Sequence, residues 1–317
     1  METAVTAVTA QQQAQMIASE YTLADVLAKF IEAQDVKPSS KALYKRTMTQ
    51  YFNWVERKGY KMADIERSHI LLYKEELLAD GKSSLTAASY ITSVRRFYEW
   101  TEANKLYPNV AKGVKSPKRK QQFKKQPLTP NQTAAMLEAE RQNQSQRDFA
   151  IVNLLVRTGL RTVEVSRANV EDITFKGGQR VLLVKGKGRD EKDNFVILTE
   201  KAYQPIKEYL DGRKAVGGQP LFTSTSNNSF GERITTRTIS HIAKAAMQSI
   251  GLDDKAYTAH SLRHTAAVNI LRAGGSLEMA QLTLRHANPA TTQIYTATIN
   301  EERRLAANGE SLLDSMY

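Results

Sequence analysis

The stretch HSLRHTAAVNILRAGG, from His260 to Gly275, combines a polar start with an apolar continuation. Its alanines, valine, isoleucine and leucine favour a buried helix, which the glycine pair at its end terminates. His260 and Arg263 are three residues apart, so both project from one face at the start of this helix. An imidazole beside a guanidinium suits a phosphoryl oxygen, because arginine offers a fixed fork of hydrogen-bond donors. The stretch therefore predicts a helix that begins with an anion-binding face.

A second histidine, His264, lies four residues after His260 and next to the apolar sequence AAVNIL. Two imidazoles at this spacing suit zinc, but the glutamate of the zinc-protease motif is absent. The chain has five histidines and no cysteine, so it has neither a cysteine-ligated metal nor a disulfide framework. We predict no metal site, and we interpret His264 as a histidine that packs against a reacting neighbour or supports it.

The stretch RTGLRTVEVSRA, from Arg157 to Ala168, places Arg161 in a tight connection after a helix that ends at Gly159. Glu164 follows in a short helix. A surface ion pair between Arg161 and Glu164 is one interpretation, and a functional arginine held by that glutamate is the other. Taken alone, the stretch favours the surface pair.

The stretch KGKGRDEK, from Lys185 to Lys192, places Lys187 between two glycines in a loop that joins two predicted strands. It is not a phosphate-binding loop, because Val181 stands where the first glycine is required. It is not a dinucleotide fingerprint either, since Glu191 replaces the third glycine. Lys187 is therefore either a solvated turn residue or a mobile general acid.

The stretch LRHANPATTQIY, from Leu284 to Tyr295, carries the basic pair Arg285 and His286 and ends in a tyrosine. By itself, Tyr295 is more simply interpreted as a core residue or a surface hydroxyl. A phenol with a pKa of about 10 is a weak nucleophile at neutral pH and needs positive surroundings to react. The other three stretches contain such charge, so they bear on the role of Tyr295.

The composition of the whole chain favours a polyanionic partner. Its 317 residues include 45 Lys and Arg against 33 Asp and Glu, which gives a net charge of +12. Nucleic acid is the first candidate, and a basic protein without such a partner is the alternative. The sequence shows neither a signal peptide nor an apolar run long enough to span a bilayer, so we expect a cytoplasmic protein.

The periodicity along the chain predicts two domains separated by a basic segment. After a flexible tail over residues 1–20, four helices form an all-helical module over residues 21–111. Residues 112–126 include KGVKSPKRKQQFKK, in which seven of fourteen residues are basic and none is acidic, so we expect an exposed linker. Residues 127–317 form a mixed domain with a three-stranded antiparallel sheet. The predicted fold class is mainly α with a small antiparallel sheet.

Together, the four stretches present their reactive residues in the order Arg, Lys, His-x-x-Arg, His and Tyr. This order resembles the pattern of the tyrosine recombinases, the lambda-integrase family, in the four blocks TGLRTVEV, GKGRDEK, HSLRHTAA and LRHANPATTQIY. The helical module is similar to the core-binding, SAM-like domain of that family, and the mixed domain is similar to its α+β catalytic domain. The resemblance covers most of the chain.

The resemblance implies a phosphate site made of basic residues. Arg161 and Arg263 would bind the non-bridging oxygens of the scissile phosphate, and His286 would hydrogen-bond the same group. Lys187 would protonate the leaving 5′ oxygen. Such prepositioned cations are the main help available to a phosphodiester that gathers negative charge during attack.

The resemblance also implies that Tyr295 is the nucleophile and that His260 assists proton transfer at its hydroxyl. Glu164 and His264 would support these groups without touching the substrate. No metal and no cofactor is implied, since a phosphotyrosine link conserves the energy of the broken bond.

One position departs from the family pattern, which usually has glycine before its last histidine, whereas this chain has Arg285. We predict that Arg285 contacts DNA. The other predicted DNA contacts lie on the second and fourth helices and in the basic segment: Lys41, Lys45, Ser89, Arg96, Lys118, Arg119 and Lys120.

The function implied by the resemblance is site-specific DNA recombination through a 3′-phosphotyrosine and a Holliday junction. The expected partners are double-stranded DNA with an inverted-repeat core site and further copies of the chain, because the family works as a homotetramer on two sites. A monomer or weak dimer in solution fits this expectation. Leu305, Leu312 and Leu313 of the C-terminal tail would contact a neighbouring copy. Only a short tail precedes Thr22, so we expect an Xer-like or mobile-element recombinase without an arm-binding domain.

Two other functions stay open at this point. A type IB topoisomerase-like nicking enzyme would use the same chemistry to relax DNA without pairing sites, but the helical module disfavours it. A DNA-binding regulator would keep the fold without catalysis, but the complete set of reactive residues disfavours it. A covalent adduct on a nicked site distinguishes an enzyme from a regulator.

Overall fold

The computed structural model describes residues 22–118, 125–143, 145–186 and 191–317. The chain divides into two compact units, residues 1–122 and 123–317. Each unit has its own hydrophobic core.

The first unit contains four helices whose starts are set by capping residues. The Thr22 hydroxyl accepts a hydrogen bond from the Asp25 amide at 3.2 Å, and the Asp25 carboxylate accepts one from the Thr22 amide at 3.1 Å. Pro38 begins the second helix, and Ser83 caps the fourth. The helices are α1 (Leu23–Glu32), α2 (Pro38–Arg57), α3 (Arg67–Ala79) and α4 (Ser84–Ala103), with a 3-10 turn at Met62–Asp64.

Aromatic side chains hold the helices of the first unit together. Phe30 of α1 meets Phe97 of α4 edge to face, with ring centroids 5.5 Å apart. Between α2 and α4, the buried hydroxyls of Tyr51 and Tyr98 hydrogen-bond at 2.9 Å. Large aromatic rings bury more apolar area than other side chains, so a module of this size closes a core with few residues.

The first residues of the predicted basic linker lie against this unit, and among them Lys112, Lys115 and Lys118 are exposed as expected. Val114 is buried within the core of the first unit. The Arg67 guanidinium donates hydrogen bonds to the backbone carbonyls of Lys112 and Gly113, which draws the chain back onto α3. Val114 is the one apolar residue among residues 112–118, and it is the one that is buried, while the linker role of the whole segment stays a prediction.

In the part of the second unit that the structure describes, there are nine α-helices and three strands. They are α5 (Pro130–Gln142), α6 (Gln146–Thr158), α7 (Thr162–Arg167), β1 (Ile173–Lys176), β2 (Gln179–Val184), β3 (Asn194–Ile197), α8 (Glu200–Gly212), α9 (Thr236–Gln248), α10 (Ala259–Arg272), α11 (Leu277–Leu284), α12 (Ala290–Ala307) and α13 (Gly309–Asp314). Within the described ranges, no helix has both the length and the hydropathy that crossing a bilayer requires.

The strands form one antiparallel sheet in the order β1-β2-β3. Leu182 of β2 pairs with Ile173 on one side and Val196 on the other, and this row faces the core. Gly177 and Gly178 make the first turn with φ angles of +57° and +76°, which residues with a side chain rarely adopt. The predicted fold class, mainly helical with a small antiparallel sheet, is confirmed.

Helix α10 lies at the centre of the second unit and contacts α6, α9, α11 and α12. The helix α6 ends at Gly159 in a left-handed conformation, with φ of +60°. A Cβ at this position would lie 2.5 Å from Leu284 Cδ2, so only glycine permits the close approach of α11. The ends of α6 and α11 thereby meet beside the start of α10.

Candidate active site

Arg263 joins three elements of the second unit. Its side chain is buried, and its guanidinium donates hydrogen bonds of 2.5 Å to the carbonyls of Gly159 and Leu284. These carbonyls end α6 and α11, where helices leave their acceptors unpaired. Burial and the neighbouring Arg161 charge lower the pKa of Arg263 to about 9, which keeps it a cation at neutral pH. These two bonds fix the position and orientation of the buried guanidinium.

Arg161 immediately precedes α7 and is held by Glu164. Its Nη1 lies 3.0 Å from Glu164 Oε1, and its backbone amide donates to Glu164 Oε2 at 2.8 Å. The Arg161 side chain is 32% exposed, whereas that of Glu164 is 2% exposed. The ion pair expected from the sequence is therefore present, but it lies at the edge of a buried site and leaves part of the guanidinium open to a ligand.

Glu164 is a carboxylate whose charge acts on both Arg263 and Arg285. Burial raises its pKa, but the positive charges of Arg285, Arg161 and Arg263 and the hydrogen bond from the Arg161 amide outweigh burial and lower the pKa below its ordinary value. Glu164 is therefore ionised at neutral pH. Three arginines around one carboxylate leave a net positive site, which suits a phosphate diester.

Arg285 points into the protein and not outward. Its Nη2 donates to Glu164 Oε2 at 2.9 Å, and its side chain is 7% exposed. The guanidinium is therefore held in a buried ion pair, and the contact of Arg285 with DNA stays a prediction. The turn at Arg285 is left-handed, with φ of 56° and ψ of 44°.

Two histidines of α10 lie on the side of the site nearest Tyr295. The ring of His264 is 4.7 Å from that of His260 and 5.2 Å from that of Tyr295, both edge to face. His260 is exposed at its position, and His264 is buried. Desolvation, followed by the charges of Arg263 and Arg161, lowers the pKa of His260. A neutral imidazole at this position is able to accept a proton from a phenol.

His286 is oriented by a residue that the sequence did not single out. Its Nδ1 lies 2.9 Å from the hydroxyl of Thr292, and both side chains are buried. This contact occupies Nδ1 and leaves Nε2 as the ring nitrogen for a substrate. Thr292 is three residues before Tyr295 on α12, so helical spacing places both on one face, and this spacing was the signal available in the sequence.

Tyr295 lies in α12 with its ring between polar and apolar neighbours. The ring is nearly parallel to that of His286, with centroids 6.4 Å apart, and it packs in a cluster with Ala267 and Ile299. The residue is only 2% exposed. Burial raises the pKa of the Tyr295 phenol, and the nearby charges of Arg263 and Arg161 act in the opposite direction. The reachable phenol expected for a nucleophile is therefore covered in this conformation.

The helix α12 is tied to α10 beyond the tyrosine. Arg272 forms a forked ion pair with Glu302, with contacts of 2.5 and 3.0 Å, and its Nη1 donates to the carbonyl of Leu128. A bidentate pair of this kind fixes geometry more firmly than a single contact. Glu302 follows Tyr295 by two helical turns, so the pair holds the helix that carries the tyrosine.

The remaining predicted site residues fall into two groups. Lys187 and the predicted DNA contacts Arg119 and Lys120 lie outside the described residues. Among the others, Lys45, Arg96 and Lys118 are exposed, while Lys41 and Ser89 are half-buried and bond to the Glu32 and Leu85 carbonyls. Their roles on DNA stay predictions.

The buried histidines predict a loss of stability in mild acid. Burial, with neighbouring positive charge, lowers the pKa of His264 to about 3 and that of His286 to about 4, against about 6.5 in the unfolded chain. The unfolded state therefore binds more protons between pH 4 and 6.5, so the free energy of unfolding falls as pH falls through that window. Urea unfolding at a series of pH values measures this slope. We expect His264→Gln to flatten it, with the exposed His241→Gln as the matched control, and an equal slope in all three chains would contradict the prediction.

Five of the six predicted catalytic side chains therefore share one site, although they come from separate parts of the chain. Charge interactions link Arg161 and Arg263 to Tyr295, to His260 and to His286. Such a cluster binds a phosphate with positive charge, offers imidazoles for proton transfer and places a phenol beside them.

Two family descriptions match the chain. Residues 126–302 match the phage integrase family, and residues 27–105 match the phage integrase N-terminal SAM-like domain. The chain therefore belongs to the phage integrase family, and it is a tyrosine recombinase, an enzyme of site-specific recombination. The family indicated by the four motif blocks is confirmed.

Individual relatives and structures agree with this membership. The tyrosine recombinase XerC of Thermodesulfovibrio yellowstonii is 31% identical over 264 residues, which cover 80% of this chain and 83% of the relative. The XerH site-specific recombinase, in a post-cleavage complex with palindromic difH substrate, superposes with a TM-score of 0.72 at 18% identity, covering 97% of this chain and 90% of XerH. A lambda integrase tetramer bound to a Holliday junction gives a TM-score of 0.65 at 18% identity, with 88% and 80% covered. At these identities, the structural matches establish the fold.

Proposed function

We propose that this recombinase cleaves and religates double-stranded DNA with Tyr295 as its nucleophile. The observation that carries the proposal is the meeting of Arg161, Arg263 and His286 around one tyrosine, although these residues are separated by long stretches of sequence. A core tyrosine without this role needs no buried cations beside it, since charges are costly to bury.

The proposed step is an in-line transfer at a phosphodiester. The Tyr295 oxygen forms a bond to phosphorus as the bond to the 5′ oxygen breaks, which leaves a 3′-phosphotyrosine and a free 5′ hydroxyl. His260 takes the phenol proton, and Lys187 gives a proton to the leaving oxygen. Arg161, Arg263 and His286 bind the non-bridging oxygens, where charge accumulates. Attack by a 5′ hydroxyl of the partner duplex reverses the step, so neither ATP nor a metal ion takes part.

The buried position of Tyr295 adds a requirement to this proposal. A phenol that is 2% exposed cannot be in line with a DNA phosphate, so binding of DNA has to uncover it. In this proposal the start of α12 moves, and Thr292 and Tyr295 move with it because both lie on this helix. The Arg272–Glu302 pair then acts as the fixed end of that movement.

The two units suggest how the substrate is held. We assign residues 21–111 as the core-binding domain and 127–317 as the catalytic domain, joined by the basic segment 112–126. The exposed side chains of Lys45, Arg96 and Lys118 supply positive charge for DNA phosphates in this arrangement. Because the substrate is DNA, we place the reaction in the cytoplasm.

We also propose a tetramer that pairs two inverted-repeat core sites. Three leucines of α12 and α13 are largely exposed: Leu305 at 76%, Leu312 at 67% and Leu313 at 55%. Exposed apolar side chains are needed where this segment binds a neighbouring copy. A single chain in solution leaves these leucines in water, which is consistent with assembly on DNA.

A plasmid with two directly repeated core sites tests the proposed function. The sites are obtained by selecting duplexes that the protein binds from a random pool. With EDTA present and ATP omitted, we expect Holliday junction intermediates and a deleted circle. Relaxation of a plasmid that lacks the site, without recombinants, would favour a nicking enzyme, and binding without any strand cleavage would favour a regulator.

A further inference from the structure

Arg285 stands out from the other residues with an unusual backbone. Four residues other than glycine have positive φ among the described residues: Lys105, Lys214, Arg285 and Asn308. The side chain of Arg285 is only 7% exposed, whereas the other three residues are exposed. A left-handed conformation is unfavourable for a residue with a Cβ, and burying a guanidinium is unfavourable as well. Both terms destabilise the fold, so the surrounding contacts must hold Arg285 in this conformation. Such a residue suggests a specific function for its side chain.

The contacts of Arg285 identify the group on which it acts. Its Nη1 donates to the carbonyl of Thr283 at 2.8 Å, which fixes the guanidinium against the end of α11. Its Nη2 donates to Glu164 Oε2 at 2.9 Å. The buried Nε has no hydrogen-bond partner. The side chain therefore binds one carboxylate oxygen of Glu164 while its Nε hydrogen bond stays unmade.

Glu164 is shared between Arg285 and Arg161. The oxygen that accepts from Arg285 also accepts from the Arg161 backbone amide, and the other oxygen accepts from Arg161 Nη1. The carboxylate is therefore fixed at both oxygens, and the Arg161 guanidinium takes its direction from it. Without Arg285, Oε2 loses its charged partner and keeps only the Arg161 amide, so the carboxylate is held less firmly and interacts more strongly with the Arg161 guanidinium.

We propose that Arg285 is a positioning residue of the cleavage reaction, which holds the Glu164 carboxylate so that Arg161 stays aimed at the scissile phosphate. This inference rests on the proposed function. Arg285 directly precedes His286, and Glu164 lies on α7 after Arg161. The ion pair between Arg285 and Glu164 therefore fixes the positions of Arg161 and His286 relative to each other. The added charge offsets that of Glu164 and leaves Arg161 free to bind an anion.

Single-turnover cleavage of a nicked core duplex, with enzyme in excess over DNA and at pH values from 5.5 to 9, tests the proposal. In Arg285→Gly, the backbone keeps its left-handed turn without strain, so the chain is expected to fold. We expect cleavage to fall about 10–100-fold while DNA affinity stays within a factor of about two. Arg285→Lys is expected to recover part of the rate, since it restores the charge without the fork.

The pH profile separates positioning from a purely structural role. The charges that face Glu164 are Arg285, Arg161 and Arg263, and Arg285 contributes the largest lowering of its pKa. In Arg285→Gly, the Glu164 pKa rises, so the acid side of the rate profile moves to higher pH. The matched control is Lys214→Gly, which removes the same backbone strain at an exposed turn and is expected to keep the wild-type rate and profile.

A double-mutant cycle with Glu164→Gln completes the test. If Arg285 acts through Glu164, Arg285→Gly lowers the rate much less in the Glu164→Gln chain than in the wild type. A wild-type rate and profile in Arg285→Gly would overturn the inference, and so would an equal fall in both backgrounds. If Arg285→Gly does not fold, Arg285→Lys replaces it in the same cycle. It is then expected to lower the rate less in the Glu164→Gln chain than in the wild type. Absence of any adduct with the wild-type chain would instead count against the proposed function.

Discussion

The chain with Tyr295→Phe is expected to bind core DNA but to form no covalent adduct with it. The substitution removes one oxygen and keeps the ring, so the contacts with His264 and His286 remain and the fold is preserved. Loss of the nucleophile removes the chemical step, so we expect cleavage to fall by about 10⁴-fold or more. The measurement is the band of protein–DNA complex that survives denaturing electrophoresis after incubation with a nicked core duplex, beside a gel-shift measurement of affinity.

The matched control for this substitution is Tyr317→Phe. Tyr317 ends the chain and is fully exposed, so nothing holds its hydroxyl near the arginines. We expect the wild-type amount of adduct from this chain. An adduct that persists in Tyr295→Phe and disappears in Tyr317→Phe would refute the assignment of the nucleophile.

The second large effect is expected from Arg161→Lys. Lysine keeps the positive charge but offers a point charge in place of a planar fork, and it cannot span both Glu164 and a phosphate oxygen. Removing one such donor from a site that stabilises developing charge costs about 10²–10³-fold in rate. Single-turnover cleavage at saturating enzyme measures this loss, and affinity for DNA is expected to change little because many phosphate contacts contribute to it.

Arg141→Lys provides the comparison for Arg161→Lys. Arg141 lies in the last turn of α5 and is exposed, so the same change of side chain meets solvent instead of the site. Its cleavage rate is expected to equal that of the wild type. If both variants cleave at the wild-type rate, the geometry of the Arg161 guanidinium is not part of the reaction.

Several elements of the fold are predicted by local patterns in the sequence. Capping residues and glycines mark the helix ends, as Ser83 does for α4 and Gly159 for α6. The pair Gly177-Gly178 marks the first turn of the sheet because glycine adopts its positive φ angles most readily. These signals succeed because each depends on a few neighbouring residues.

The features that the sequence did not reveal depend on contacts between distant segments. The burial of Arg285 follows from Glu164, which lies far away in the sequence, so the motif alone did not show that this basic side chain is buried in an ion pair. The burial of Val114 depends on Arg67 in the same way. The covered position of Tyr295 depends on how α12 packs against α10, which no periodicity specifies.

The motif residues of the site are a middle case. These residues can be identified from the sequence because the order of residue types in the four motifs is specific. The contacts that orient their side chains cannot be predicted from the motifs. Thr292 is uncharged and belongs to no motif residue set. Its hydroxyl contacts His286 Nδ1 because α12 packs against the turn that follows α11. Second contacts of this kind orient the groups that meet the substrate.

The most direct test of the central claim is to locate the covalent bond itself. The adduct formed on a nicked core duplex is digested with protease and nuclease, and the modified peptide is sequenced by mass spectrometry. We expect a nucleotide joined through its 3′ phosphate to the oxygen of Tyr295. A nucleotide on any other residue, or one joined through a 5′ phosphate, would contradict it.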